Sequence, residues 1–140
     1  MWKYEKKLQY PVNIKRPDPA AAKVIITQFG GPDGELGASL RYLSQRYTAP
    51  DARVKAILND IGTEELGHME MICTIVYQLT RNLTPAEIKA SGFDTYFVDH
   101  TTGLYPIAAS GTPFSAEVFQ STGDAIADLS EDMAADGTTL

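Results

Sequence analysis

The stretch GTEELGHMEM, Gly62 to Met71, decides how this chain is read. It lies within a run from about Asp51 to Thr80 whose apolar residues recur at helical spacing. At about 100° per residue, with Glu65 set at zero, Val54, Leu58, Ile61, Met69, Ile72, Val76 and Leu79 fall within about 40° of it. Glu65 is thus in the middle of an apolar stripe. His68 lies about 60° away on the same face, one turn further on. Glu64, near about 100°, and Glu70, near about 140°, are expected to meet solvent or a subunit boundary. A carboxylate at the centre of a core face is costly unless it is paired or bound to a cation. The run therefore reads as the longest helix of an all-α protein, with Glu65-x-x-His68 turned inward.

The preceding helix, ELGASLRYLSQRY from Glu35, repeats the anomaly. Glu35 shares a face with Ser39, Tyr42 and Arg46, beside Leu36, Leu40 and Leu43. A first-turn acid also favours the helix dipole, so Glu35 alone has an ordinary structural reading. In ferritin-like dimetal bundles, however, two helices each give a Glu and two others each give a Glu-x-x-His. The i, i+3 spacing lets two side chains reach one metal from adjacent turns. Carboxylate and imidazole suit manganese, iron and zinc alike.

Outward from these helices the pattern stays helical. PAAAKVIITQF opens a helix at Pro19 that Gly30 and Gly31 interrupt, and Asp51 is placed to cap the long helix. Thr84-Pro85-Ala86-Glu87 matches a capping box opening a short helix that ends near Gly92. DAIADLSEDMAAD forms the last helix. Residues 1 to 18, with their prolines and aromatics, suggest an extended arm, and residues 92 to 122 a long loop; either could wrap a neighbouring subunit. No strand-like alternation persists. His100, in that loop, reads as an exposed histidine rather than a ligand. The lysines and arginines of the arm read as a solvated face or a subunit contact.

At 140 residues the chain is one domain, and its 44% hydrophobic content is that of a globular protein. A net charge of −6 argues against nucleic acid and anionic membrane as partners. No apolar run approaches the roughly 20 residues that span a bilayer. MWKYEKKLQYP lacks the apolar region of a secretory signal, so synthesis and folding in the cytosol are expected. The one cysteine, Cys73, sits in the helical apolar pattern and reads as a small buried hydrophobe.

Four segments together, MWKYEKKLQYPV, GGPDGELGASLRYLSQRY, NDIGTEELGHMEM and GTPFSAEVFQSTGDAIADLSEDMAAD, resemble the manganese catalases, and within them the spore-coat, CotJC-like branch. The resemblance runs from residue 1 to about Asp136. It implies a ferritin-like four-helix bundle, a dimanganese site, a hexameric homo-oligomer and dismutation of hydrogen peroxide to water and oxygen. It places metal ligands on Glu35, Glu65 and His68, the residues that the angular argument isolates. Tyr42, two turns from Glu35, is placed to donate a hydrogen bond beside the metals, or else is a buried aromatic at the bundle edge.

The chain departs from the family at its end. Where the family has a further Glu ligand, this sequence has Asp136, followed only by Gly137 to Leu140. Counting from Ile126 and Leu129 through Met133, Asp136 falls on the inward stripe, where it is either a shorter metal-facing carboxylate or an acid at a frayed chain end. The family's fourth helix, with its second histidine, has no counterpart, so the bundle reads as truncated before that helix. Three functions follow: a manganese catalase, a structural spore-coat protein with a degenerate metal site, or a ferritin-like iron-binding protein.

Overall fold

A computed structural model of the chain describes residues 3–98, 103–104, 108–112 and 114–138. Its axis is the long helix α3, Ala52–Thr80, which spans 29 residues, or about 43 Å. Asp51 starts it by accepting the amides of Arg53 and Val54. Helix α1 (Pro19–Gly30) is capped by Asp18, whose carboxylate accepts from the Ala21 amide, and Pro19 occupies its first turn. Helix α2 (Glu35–Gln45) follows a tight turn through Gly31 and Gly34. The capping box at Thr84 and Glu87 is present in both directions and opens α4 (Pro85–Ser91), which Gly92 ends at a φ of 71°. Helix α5 runs over Ala125–Thr138. All five begin where the sequence pattern places them.

Two apolar clusters hold these helices to α3. Ala22 and Ile26 of α1 pack on Val76 and Leu79, with Ile88 and Phe93 closing the cluster from α4 and the turn after it. At the other end Ala38 and Tyr42 of α2 pack on Leu58. Helix α2 crosses α3 at Gly62, whose carbonyl accepts the buried Ser39 hydroxyl at 2.6 Å. A Cβ there would lie 2.9 Å from Leu43 Cγ and 3.0 Å from Tyr42 Cβ. Gly62→Ala should therefore push α2 off α3 and cost about 1–3 kcal/mol in chemical denaturation. A variant as stable as the parent would show that this crossing can yield without cost.

The arm is extended, as expected, and lies along α3 of its own chain. Gln78 accepts from the Ile14 amide and donates to the Val12 carbonyl, Arg81 donates to the Ile14 carbonyl, and the Asp18 amide donates to the Leu79 carbonyl. Nearer the start, Gln9 donates to Glu64 and Tyr4 to Glu70, so the arm, rather than water alone, meets these two outer acids. The all-α class stands, and the structure adds one local detail to it. Within the 92–122 loop a short antiparallel ladder pairs β1 (Phe97–Val98) with β2 (Gly103–Leu104), too short to leave an alternation in the sequence. His100 lies outside the described residues.

Candidate metal centre

Glu35 opens α2, and Glu65 and His68 occupy adjacent turns of α3 just beyond the Gly62 crossing. The close approach at that glycine lets the first turn of one helix face the middle of the other. The result is convergence: Glu35, Glu65 and His68 each offer a ligand atom, and these atoms lie within 4.8 Å of one another. His68 Nδ1 is 2.7 Å from Glu65 Oε2, while its Nε2 lies 3.8 Å from Glu64 Oε1. The Glu65 side chain is 13% exposed and that of His68 34%, so the cluster sits at the edge of the bundle's interior.

The electrostatics are those of crowded acids. Burial, then the hydrogen bond and charge of Glu65, push the Glu35 carboxyl up to about 7; His68 works against this and Asp136 adds to it. Near neutral pH the Glu35 carboxyl thus holds a proton part of the time beside Glu65. A divalent cation would replace that proton and satisfy the same oxygens, with imidazole nitrogen as a third donor. The residues present fit a metal ion of the carboxylate–imidazole type.

Tyr42 is buried, and its hydroxyl donates to Asp136 Oδ2 at 3.1 Å. Burial first, then the Asp136 charge, hold the phenol well above its ordinary value. Asp136 lies outside the close cluster of ligand atoms, although Glu35 feels its charge. Its helix is turned otherwise than the stripe implied. Ile126, Leu129 and Met133 are 81%, 40% and 70% exposed, whereas Asp128, Asp132 and Ala135 are buried. The reason is the surface that α2 presents: Arg41 and Gln45 are hydrogen-bonding groups, and α5 answers with its acids.

That polar seam is what sequence reasoning missed. Arg41, 2% exposed, donates from Nε to Glu131, from Nη2 to Asp33 and from Nη1 to the Pro32 carbonyl. Its guanidinium also lies 4.8 Å from the Phe119 ring centroid. The available signal was Arg41 and Gln45 at i, i+4 on α2, opposite a helix rich in acids. Cys73 is half-buried, and burial pushes its thiol up to about 11, which makes it a poor nucleophile.

A helical fold that brings two carboxylates and a histidine together from facing helices defines a metal-binding bundle of the ferritin-like class. Comparison with known proteins narrows this. The family described as "Manganese containing catalase" matches residues 1–139, and the chain belongs to that family. Protein CotJC of Bacillus subtilis (strain 168) is 53% identical over 136 residues, 97% of this chain and 71% of that protein. The manganese catalase of Lactiplantibacillus plantarum is 30% identical over 141 residues, 92% of this chain and 53% of that protein. Among solved structures, wild-type KatB, a manganese catalase from Anabaena, superposes with a TM-score of 0.84 at 28% identity, covering 99% of this chain and 62% of that one. The chain thus spans between about half and seven tenths of the length of these relatives. Manganese is the metal that the family and these relatives support as cofactor.

Proposed function

We propose that this chain contributes manganese ligands to a centre that dismutates hydrogen peroxide to water and oxygen. The observation that carries the reading is the convergence of Glu35, Glu65 and His68 from α2 and α3. In it Glu65 and His68 bind one ion from adjacent turns, and Glu35 completes the set from the facing helix. Asp136 offers a shorter carboxylate where the family has a glutamate. Tyr42 keeps its proton and hydrogen-bonds through it to Asp136 Oδ2, which orients the acid. Two manganese ions, when bound, supply the two-electron exchange that peroxide dismutation requires. Among the described residues, Glu35, Glu65 and His68 make up one such ligand set.

Reconstituting the 140-residue chain with Mn²⁺ tests this directly, by metal analysis and oxygen release. About one tightly held manganese per chain and slow oxygen release are expected, because joint two-electron cycling needs both ions. Two manganese per chain with rapid oxygen release would show that another copy completes the site. Iron is the alternative metal, since the donor set accepts it; ferrous oxidation and iron retention without peroxide turnover would favour a ferritin-like iron-binding protein.

A second reading is a structural component of the spore coat, favoured by the 53% identity to Protein CotJC. Assembly into a homo-oligomer, a hexamer by the resemblance, belongs to either reading. It is supported by the exposed apolar residues Ile126 and Met133 and is checked by light scattering. No helix among the described residues is long and apolar enough to cross a membrane.

A further inference from the structure

Between α2 and α5 lies a pair of polar side chains that the candidate centre does not use. Gln45 and Asp132 are each 3% exposed. Gln45 Nε2 donates to Asp132 Oδ1 at 2.9 Å and to the Gln120 carbonyl at 3.1 Å, which uses both hydrogens of the amide. Those two acceptors also fix which end of the amide is nitrogen, because the reversed group would set oxygen against oxygen. The remaining atom of each group, Gln45 Oε1 and Asp132 Oδ2, is buried without a hydrogen-bond partner.

With Asp132 ionised, both orphaned atoms are acceptors, and a buried acceptor without a donor is destabilising. One proton on Oδ2 removes both deficits together. It turns that oxygen into a donor, and Oε1 is the acceptor on the same amide that already holds Oδ1. Acid and amide then complement each other through two hydrogen bonds. We propose that Asp132 is a neutral carboxylic acid in the folded chain, donating Oδ2–H to Gln45 Oε1, and that this acid–amide pair positions α5 on α2 so that Asp136 stands beside Tyr42.

The groups facing Asp132 agree. From α5 these are Glu131 and Asp136, and from α2 Arg41 and Tyr42, while the 119–120 segment presents the Gln120 carbonyl. Burial is the largest influence and pushes the Asp132 carboxyl up to about 6; the Gln45 hydrogen bond and Arg41 oppose it, and Glu131 and Asp136 add to it. Arg41 is already engaged by Glu131 and Asp33, so its charge is shared. The Oδ2–H bond exists only in the acid form and raises the value further. Since the folded value lies above the unfolded one, the pair stabilises the docking of α5 at low pH and is lost as pH rises through the folded value.

The role given to Asp136 rests on the proposed function, but protonation of Asp132 does not, and it can be read in the metal-free chain. Carboxyl-carbon NMR should show Asp132 titrating with a midpoint above about 6, at least two units over the ordinary 3.8. Asp132→Asn reproduces the acid's donor and acceptor pattern, so α5 amides in that variant should keep their exchange protection up to about pH 8. In the parent, protection of α5 should fall over the same range. Asp132→Ala should lose about tenfold of that protection at every pH. A midpoint near 3.8 would overturn the proposal, and so would an Asn variant as unprotected as the Ala one. The NMR midpoint decides the matter even if the Ala variant does not fold, and it stands whether or not manganese supports any activity.

Discussion

Replacing Arg41 with leucine is expected to cost the chain about 3–5 kcal/mol and to release α5 first, because it breaks a buried ion pair from one side only. At 2% exposure the guanidinium joins three segments that have little else in common: the 32–33 turn, the 119 region and α5. Leucine fills part of the volume but leaves Glu131, 15% exposed, beside Asp132 with no cation. Urea denaturation gives the total loss, and amide exchange resolved to α5 shows where it begins. A loss below about 1 kcal/mol would mean that Glu131 escapes to solvent and that the network contributes shape rather than energy.

Glu65→Gln is expected to lower Mn²⁺ affinity by at least about 100-fold while leaving the fold intact. The substitution keeps the shape of the side chain and removes the charge that faces both Glu35 and His68. In the parent, Glu35 must surrender its proton when the ion enters, so affinity should rise about tenfold per pH unit up to about 7 and then flatten. The metal-free chain behaves oppositely. A carboxyl whose folded value is raised contributes stability at low pH and loses it as pH climbs through about 7. Manganese should therefore raise the melting temperature more at alkaline than at acid pH, and the variant, in which burial still raises Glu35 but the Glu65 charge is gone, should show both trends weakened. Calorimetric titration together with thermal unfolding checks both. A variant binding within about threefold of the parent would remove Glu65 from the ligand set.

The helices and the convergence of Glu35, Glu65 and His68 were legible in the sequence because both are local statements. Glu65 and His68 declare their shared face by spacing alone, and Asp51 and Thr84 announce helix starts through backbone amides a few residues away. Glu35 needed one further step, an acid on the inner side of a neighbouring helix. The orientation of α5 was not legible by the same logic. Its apolar residues form a regular stripe through Ile126, Leu129 and Met133, yet the buried side is acidic. Periodicity finds the apolar face of a helix, and it cannot say which neighbour a face meets. The positions of Arg41 and Gln45 on α2 explain why Glu131 and Asp132 are turned inward, while the turn at Thr122 and Gly123 holds Asp128. The β1–β2 ladder escaped for a simpler reason, since two residues per strand carry no period.

The polar seam under α5 has a consequence for how the molecule comes apart. Of the apolar residues along that helix, Ala135 is the one buried among the described residues. Lifting α5 from α2 therefore uncovers charged and amide groups and very little hydrocarbon. Such an opening carries a small heat-capacity change and a small dependence on urea, because both scale with the apolar and total area released. It responds instead to pH, through the Asp132–Gln45 pair, whereas salt screens a guanidinium 2% exposed only weakly. The domain thus has two modes of failure with different handles: denaturant takes apart the Val76 and Leu58 clusters, whereas alkali loosens the helix that carries Asp136.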